Sequence, residues 1–469
     1  MAWNAALRCE PPAPPRSVDA PRGPPCPAIL RRALGSGEGC RAKQRLLEWG
    51  GGTPEEVLSL PSTEELVRYA DVIVRVGANI TPGQPVTVSA PLETADFTRL
   101  LCERLYAAGA GIVRLRWHDP LTERMALERA GEAELGRVGG WELGREQEEI
   151  DRNTCFIHVD AEDPDLLKGV DPGRVQLVHK ARGEALKPAQ DRMMADEATW
   201  VVCAAPAPAW AQRMYPEAGD PDSAVAELWQ ALLRVMRADT ADAVERWQRH
   251  LDDLERRAAF LNDHHFRRLH YRAPGTDLHV ELPELHVWSA ARSRNARGAE
   301  FCANLPTEEV YTLPSRDGVE GTVRATMPLV HQGVVIEDIE ITFQGGQVRE
   351  LHASQGEATL RQVVETDKGS GRLGEVALVP ATSPVAREGR LFYSTLFDEN
   401  ASCHLALGHA YPTCLKGGRA MSEAELEAAG LNDSIVHVDF MVGSEELDID
   451  GETAAGDTVP VFRSGLWAF

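Results

Sequence analysis

The chain has 469 residues, of which 43% are hydrophobic and 26% are charged, as in a globular protein with room for two or three domains. Its net charge of −23 argues against nucleic acid or an anionic membrane as a partner, and no apolar run is long enough to predict a transmembrane helix. The nine cysteines are scattered and never form a Cys-x-x-Cys pair, which predicts neither a disulfide framework nor a thiolate zinc site and favours a reducing cytoplasm.

Residues 1–56 differ in composition from the rest of the chain. The segment is rich in Pro, Arg and Gly, is locally basic, and lacks the apolar core of a secretory signal. Such a composition buries too little apolar surface to fold by itself. We predict a disordered extension that begins at a start codon upstream of the real one, with a transit-type segment as the alternative.

Residues 57–272 alternate helical and strand patterns. The predicted helices are Glu64–Val76, Ala95–Ala108, Ser223–Arg237 and Thr240–Leu261, and the predicted strands are Pro85–Ala90, Gly111–Trp117, Cys155–Val159 and Trp200–Ala205. The last three strands read as buried. This order predicts an N-terminal α/β domain with a mostly parallel sheet. No Gly-x-Gly-x-x-Gly or Walker loop occurs in it, so nucleotide binding has no support.

The pattern changes around Ala273-Pro274-Gly275-Thr276, and residues 273–469 are predicted to form a C-terminal β-rich α+β domain. Its first predicted elements are the strands Asp277–Leu282, Val319–Met327, Val334–Phe343 and Gln347–His352 and the helix Gly356–Thr366. Phe343 to Val348 has the composition of a hairpin turn. All residues with suggestive chemistry fall in this second half, so we expect it to be the catalytic domain.

The strand predicted over Ser434–Gly443 carries the clearest functional signal. Every second residue from Val436 to Val442 is apolar, and His437 and Asp439 lie on the opposite face. Burying an imidazole and a carboxylate without a partner is costly, and a metal ion is one partner that satisfies both. A structural hydrogen bond between them, or a half-solvated face, is the alternative.

Other residues of the ligand type lie in the same half. They are Glu308, Glu309, Glu375, Glu399 and His404, followed by Tyr411, whose phenol can donate a hydrogen bond to an oxyanion. Glu308 and Glu309 read alternatively as a helix N-terminus, but Pro314 follows too soon for a helix. Glu375 borders an apolar run and is compatible with either an exposed turn or burial, and His404 is compatible with a satisfied core histidine.

Together these residues offer five or six oxygen and nitrogen ligands without a thiolate. Such a set suits Zn²⁺, Co²⁺, Mn²⁺ or Mg²⁺. It exceeds the needs of one tetrahedral ion and agrees with a two-metal site in which one carboxylate bridges. No Gly-x-Ser-x-Gly or His-Glu-x-x-His motif occurs, so metal-assisted hydrolysis by a different ligand set is the leading interpretation.

Several motifs in the last third of the chain match a known family. They are Asn304–Thr312 (NLPTEEVYT), Leu373–Glu375 (LGE), Thr395–Ala401 (TLFDENA), His404–Gly408 (HLALG) with Tyr411, and His437–Ser444 (HVDFMVGS). With these motifs the chain resembles the thermophilic metallo-aminopeptidase family, of the aminopeptidase T, II and S type. The resemblance extends from about residue 62 to the C-terminus.

The resemblance implies a homodimeric, two-domain exopeptidase that removes N-terminal residues from peptides with two divalent ions per subunit. Position by position, it implies that the metal ligands are Glu309, Glu375, Glu399, His404, His437 and Asp439, and that Tyr411 is the active-site tyrosine. Glu375 is the implied bridge. Glu309 is chosen over Glu308 because its separation from Glu375 matches the family, and either carboxylate is a candidate for carrying a proton to the leaving amine.

Two other functions remain open from the residues. A two-metal phosphoesterase uses the same ligand types but needs basic residues for phosphate, and only Lys368 and Arg372 lie close to the ligand segments in sequence. A non-catalytic peptide-binding protein of the same fold is the second alternative, which the intact ligand set disfavours.

Overall fold

The computed structural model describes residues 60–161 and 163–469 of the chain. The predicted disordered extension, residues 1–56, lies outside the described residues. Within the described ranges, no helix combines the length and the apolar composition that a membrane span requires.

The first half of the described chain alternates helices with four parallel strands. Its elements are α1 (Thr63–Val72), β1 (Pro85–Pro91), α2 (Ala95–Ala107), β2 (Ile112–His118), α3 (Pro120–Arg129), α4 (Glu132–Leu135), α5 (Gly140–Asp151), β3 (Cys155–Asp160), α6 (Pro172–Met194), β4 (Trp200–Ala204), α7 (Pro208–Met214), α8 (Pro221–Val235) and α9 (Ala243–His264). The strands form one sheet in the order β2-β1-β3-β4, with every pairing parallel. The predicted α/β layer is confirmed.

One expectation for this half was wrong. Strand β2 lies at the edge of the sheet and is not buried, since Ile112 is 40% and Leu115 is 39% exposed. Helices α3 to α7 had no counterpart among the predicted elements; α3 and α4 bury no residue, so they lack an apolar stripe that a sequence pattern could show. An Asp-Pro dipeptide marks the start of two of them: Asp119 before α3 and Asp171 before α6 each accept a hydrogen bond as N-cap, with Pro in the first turn.

The second half is β-rich, as predicted. Its elements are β5 (Arg268–Ala273), β6 (Thr276–Glu281), β7 (Arg292–Arg294), β8 (Glu300–Cys302), β9 (Val310–Thr312), β10 (Val319–Arg324), β11 (Leu329–His331), β12 (Val334–Ile336), β13 (Glu340–Gln344), β14 (Gln347–His352), α10 (Glu357–Val364), β15 (Leu373–Leu378), α11 (Pro384–Arg387), α12 (Thr395–Asp398), β16 (His404–Gly408), α13 (Glu423–Ala428), β17 (His437–Met441), β18 (Asp448–Glu452), β19 (Thr458–Arg463) and β20 (Leu466–Trp467). The single strand predicted over Val334–Phe343 is two strands, because Asp338 between them has a left-handed φ of 51°.

Two antiparallel sheets dominate this half. An eight-stranded sheet has the order β14-β13-β10-β6-β5-β18-β19-β20, and a four-stranded sheet has the order β17-β16-β15-β9. Their apolar faces share one core, which includes Tyr271 and Val280 from the first sheet and Val438 and Phe440 from the second. The four-stranded sheet therefore has one face in the core, and its other face positions the candidate site.

The predicted domain boundary between residues 272 and 273 falls at the end of strand β5. The tight turn at Pro274-Gly275 joins β5 to β6 in an antiparallel hairpin that begins at Arg268. Leu305 and Phe397, from the second half, belong to the same apolar cluster as the helices around the parallel sheet. The division into domains 57–272 and 273–469 stays a prediction.

Candidate metal centre

The predicted site residues are brought together by the register of the four-stranded sheet. Glu375 on β15 and Asp439 on β17 are both paired with Ala406, on the strand between them. The small side chain of Ala406 leaves room for the two carboxylates to approach each other across the sheet. His404 lies two residues before Ala406 on the same face, and His437 lies two residues before Asp439.

A β-bulge sets the direction of Glu375. The register of β15 against β16 shifts between Leu373 and Glu375, which leaves Gly374 as the extra residue. A Cβ atom at Gly374 would lie 2.3 Å from the carbonyl oxygen of His409 and 2.4 Å from that of Gly408. Only glycine fits such a close backbone approach, so Gly374 is needed to place Glu375.

The ligand-type atoms form two groups that share one carboxylate. His404 Nε2 lies 3.1 Å from a Glu309 carboxylate oxygen and 3.8 Å from Glu375 Oε1, and His437 Nε2 lies 3.4 Å from Glu375 Oε2 and 3.3 Å from Asp439 Oδ1. In each group of three, one ligand atom per residue lies within 4.8 Å of the others. Glu375 belongs to both groups, as a bridging ligand would.

Both histidines have their second ring nitrogen against a backbone carbonyl. His404 Nδ1 lies 3.2 Å from the Ser402 oxygen, and His437 Nδ1 lies 2.8 Å from the His409 oxygen. With Nδ1–H donating to the carbonyl oxygen, Nε2 is the ring nitrogen that faces the carboxylates in both histidines. This is the arrangement of a metal-binding histidine, whose outer hydrogen bond fixes ring and tautomer.

The electrostatics of the cluster favour added positive charge. Burial alone would lower the pKa of His404, but Glu309 and the neighbouring carboxylates outweigh it and raise that pKa to about 10. The pKa of His437 is raised well above its ordinary value, against burial, by Asp439 and Glu375. A set of buried carboxylates that attracts protons so strongly also suits divalent cations, so the residues present fit a metal site.

Glu399 and Tyr411 border this cluster. Glu399 belongs to neither group of close ligand atoms, and burial, followed by repulsion from Asp439 and Glu309, raises the pKa of its carboxyl group well above the usual range. The Tyr411 ring lies 5.0 Å from the His437 ring, measured between centroids. Burial and then Glu375 raise the pKa of Tyr411 well above its ordinary value, so the phenol keeps its proton and remains a donor.

Tyr311 is a residue at the site that sequence analysis missed. It is paired with Ala377, which is also opposite His404, and its ring packs edge-on against Tyr411 at 6.4 Å between centroids. Burial and the nearby carboxylates raise its pKa well above the ordinary value. The signal was its position two residues after Glu309, at the start of a strand.

Glu308 points away from this cluster. Its two carboxylate oxygens accept hydrogen bonds of 2.6 Å and 2.9 Å from the Arg237 guanidinium, and His250 Nε2 lies 3.5 Å away. The structure therefore places Glu309 and not Glu308 beside His404 and Glu375.

A third histidine and aspartate group lies on the eight-stranded sheet. His270 on β5 pairs with His279 on β6, their rings stack at 3.9 Å, and His270 Nε2 lies 2.7 Å from Asp277 Oδ1. The Arg272 guanidinium lies 3.0 Å from the other ring nitrogen of His270. The group has ligand-type atoms but is next to an arginine, which opposes a bound cation.

Comparison with known proteins agrees with the site. Residues 62–467 match the family described as thermophilic metalloprotease (M29). The chain is 43% identical over 406 residues to aminopeptidase 2 of Geobacillus stearothermophilus, covering 87% of this chain and 98% of that protein. It is 40% identical over 405 residues to aminopeptidase T of Thermus aquaticus, covering 86% and 98%. The solved structure of wild-type AmpT from Thermus thermophilus superposes with a TM-score of 0.81 at 38% identity, covering 86% of this chain and 99% of that one.

Proposed function

Since the chain belongs to the thermophilic metalloprotease (M29) family, we propose that it is a metal-dependent aminopeptidase that hydrolyses the first peptide bond of peptides with a free N-terminus. The observation that carries the proposal is the pair of buried ligand groups that share Glu375, in a chain similar along its length to aminopeptidases.

Two divalent ions would be held by Glu309, Glu375, Glu399, His404, His437 and Asp439, of which Glu375 belongs to both groups of close ligand atoms. The oxygen and nitrogen donors suit Zn²⁺, Co²⁺, Mn²⁺ or Mg²⁺. When bound, such ions supply Lewis-acid activation of a carbonyl group and of water near neutral pH. The proposal is supported by the two groups of close ligand atoms and by the outward hydrogen bonds of both histidines.

The protein's own residues would then assist the hydrolysis. Tyr411 keeps its proton and lies beside His437, so its hydroxyl is available to donate to the oxyanion that forms at the scissile carbonyl. Glu309 is better placed than Glu308 to carry a proton to the leaving amine, because both oxygens of Glu308 already accept hydrogen bonds from Arg237.

A homodimer and a cytoplasmic location are also part of the proposal. The first rests on the family resemblance, and the second rests on the scattered cysteines of the sequence, which never form a Cys-x-x-Cys pair.

The test compares leucyl and arginyl p-nitroanilide with N-acetyl-leucyl p-nitroanilide and p-nitrophenyl phosphate, before and after treatment with a chelator. We expect hydrolysis of the two substrates with a free amine, its loss in chelator, and its recovery when Zn²⁺, Co²⁺ or Mn²⁺ is returned. Equal hydrolysis of the acetylated substrate would argue against an aminopeptidase. Preferential hydrolysis of the phosphate ester would support the phosphoesterase alternative.

A further inference from the structure

Glu308 and Glu309 are neighbours in sequence but face different surroundings. The Glu309 carboxylate meets His404, while Glu308, only 3% exposed, meets Arg237 with both oxygens. Arg237 follows helix α8, and its guanidinium also lies over the Trp247 ring, 4.9 Å from the ring centroid. The segment that carries Glu309 is thus held by groups from the helical first half of the chain.

A second contact holds the same segment from helix α9. His250 Nε2 lies 2.8 Å from the carbonyl oxygen of Thr307, next to Glu308. The same ring nitrogen lies 3.5 Å from a Glu308 carboxylate oxygen. The buried Glu308 carboxylate thus has hydrogen-bond partners on both oxygens, supplied by Arg237 and not by the cluster around Glu375.

A third contact joins this segment to the turn that carries Glu399. The Glu308 backbone N–H donates to Asn400 Oδ1 at 2.7 Å. The Asn400 amide nitrogen donates to the Leu396 carbonyl at 2.9 Å and lies 3.4 Å from a Glu399 carboxylate oxygen. One buried asparagine thus fixes the Glu309 and Glu399 segments relative to each other.

We propose that Arg237, His250, Glu308 and Asn400 form a clamp that positions Glu309 and Glu399 for metal binding, and that Glu308 is a positioning residue and not a ligand or proton carrier. The clustered carboxylates repel one another, so backbone anchors must hold them at ligand distance. The inference rests on the proposed function, because it needs a metal to bind at the cluster.

The test measures Zn²⁺ affinity of the full chain by competition with a chromogenic chelator, so it does not depend on activity. Glu308→Gln keeps the shape of the side chain and removes its charge. We expect Zn²⁺ binding at least about 10-fold weaker, the lower end of the cost of losing a group that orients a metal ligand, because the segment that carries Glu309 loses its anchor to Arg237. Arg237→Lys keeps the charge but not the two-pronged hydrogen bond, so its affinity should lie between that of E308Q and wild type.

The matched control is Arg234→Gln. Arg234 lies three residues before Arg237 and makes a similar double hydrogen bond to Glu388, at 2.8 Å and 2.7 Å, but it anchors neither Thr307 nor Glu308. We expect R234Q to keep wild-type Zn²⁺ affinity even where it lowers the melting temperature. A merely structural role for Glu308 would make E308Q behave like R234Q.

The outcomes separate this inference from the proposed function. Wild-type affinity in E308Q would overturn the clamp while leaving the metal site intact. Absence of Zn²⁺ binding by the wild-type chain would overturn both. If E308Q does not fold, Asn400→Ser gives the same test without a buried charge change, and wild-type affinity in N400S would overturn the clamp.

Discussion

Strands β6 and β17 each carry a histidine and an aspartate two residues apart, but the two pairs differ in burial and in the charge of their neighbours. Asp277 and His279 on β6, like His437 and Asp439 on β17, lie two residues apart on one face, with core residues between and after them. Around β17 the polar face is buried, and Asp439 has an 8% exposed side chain. Around β6 the polar face is partly exposed, and the Asp277 side chain is 79% exposed.

The difference lies in burial and in the charge of the neighbours. In the described part of the chain, ion pairs to Glu309, Glu375 and Asp439 come only from His404 and His437. On the other sheet Arg272 contacts His270 and pairs with Asp450, so the positive charge is already supplied. A histidine and a carboxylate at strand spacing become candidate metal ligands only where carboxylates are in excess and buried.

The largest expected difference in activity is between substitutions of the two aspartates, Asp439 on β17 and Asp277 on β6. Asp439→Asn should lower aminopeptidase activity by more than about 100-fold, beyond the usual cost of losing an outer partner of a metal ligand. Asp277→Asn should leave kcat/KM within about twofold, because the Asp277 side chain is exposed and lies away from the proposed site. The measurement is kcat/KM on leucyl p-nitroanilide at saturating metal. Similar losses in both variants would remove the distinction between the two strands.

The second prediction concerns two glycines, Gly374 near the Glu375 site and Gly275 in the turn before β6. A methyl group at Gly374 would collide with two carbonyl oxygens in the bulge, so Gly374→Ala should destabilise the fold by roughly 4 kcal/mol or more and weaken metal binding. Gly275, with a φ of +80° in the hairpin turn between β5 and β6, would place its new Cβ only against the flexible Arg324 side chain. Gly275→Ala should therefore cost about 1 kcal/mol, the penalty of left-handed backbone, and leave metal binding unchanged.

Urea unfolding in chelator, with Zn²⁺ titration of the folded variants, measures both costs. Equal destabilisation by G374A and G275A would show that the bulge relaxes around a side chain. It would then not be the feature that directs Glu375.

The two strands also show which features of the site could be predicted from the sequence. The alternation around His437 and Asp439 predicted a strand with one apolar face because period two is a local property. Ala406 between Glu375 and Asp439, and the bulge at Gly374, depend on pairing between distant strands and have no local signal.

The Glu308 contacts could not be predicted for a similar reason. Its partner Arg237 is 71 residues away in the chain, and adjacent glutamates look alike until their faces are known. Exposure, which separates Asp277 from Asp439, is likewise a property of the folded chain. By contrast, the helix starts at Asp119-Pro120 and Asp171-Pro172 have a local signal in the sequence, which the sequence analysis did not use.

A third buried histidine extends the comparison, because its hydrogen-bond partner is a backbone carbonyl oxygen and not a carboxylate. His286 is 3% exposed, and its Nδ1 lies 2.7 Å from the Pro283 carbonyl oxygen. Burial lowers the pKa of His286 from 6.5 to about 4, the opposite of the change at His404. Burial alone thus favours a neutral imidazole, and the surrounding carboxylates make His404 cationic or metal-binding.

The smallest expected effect follows from this lowered pKa. The unfolded chain takes up a proton at His286 below pH 6.5 while the folded chain does not until about pH 4, so stability falls as pH falls through this window. Between pH 8 and pH 6 the contribution is about 1 kcal/mol. His286→Asn keeps a donor for the Pro283 carbonyl and cannot take up the proton. In urea unfolding with chelator present, the wild type should therefore lose about 1 kcal/mol more than H286N over this interval, because all other titrating groups are common to both proteins. Equal losses would mean that His286 is protonated in the fold as readily as in the unfolded chain, and that burial against a backbone carbonyl does not keep an imidazole neutral.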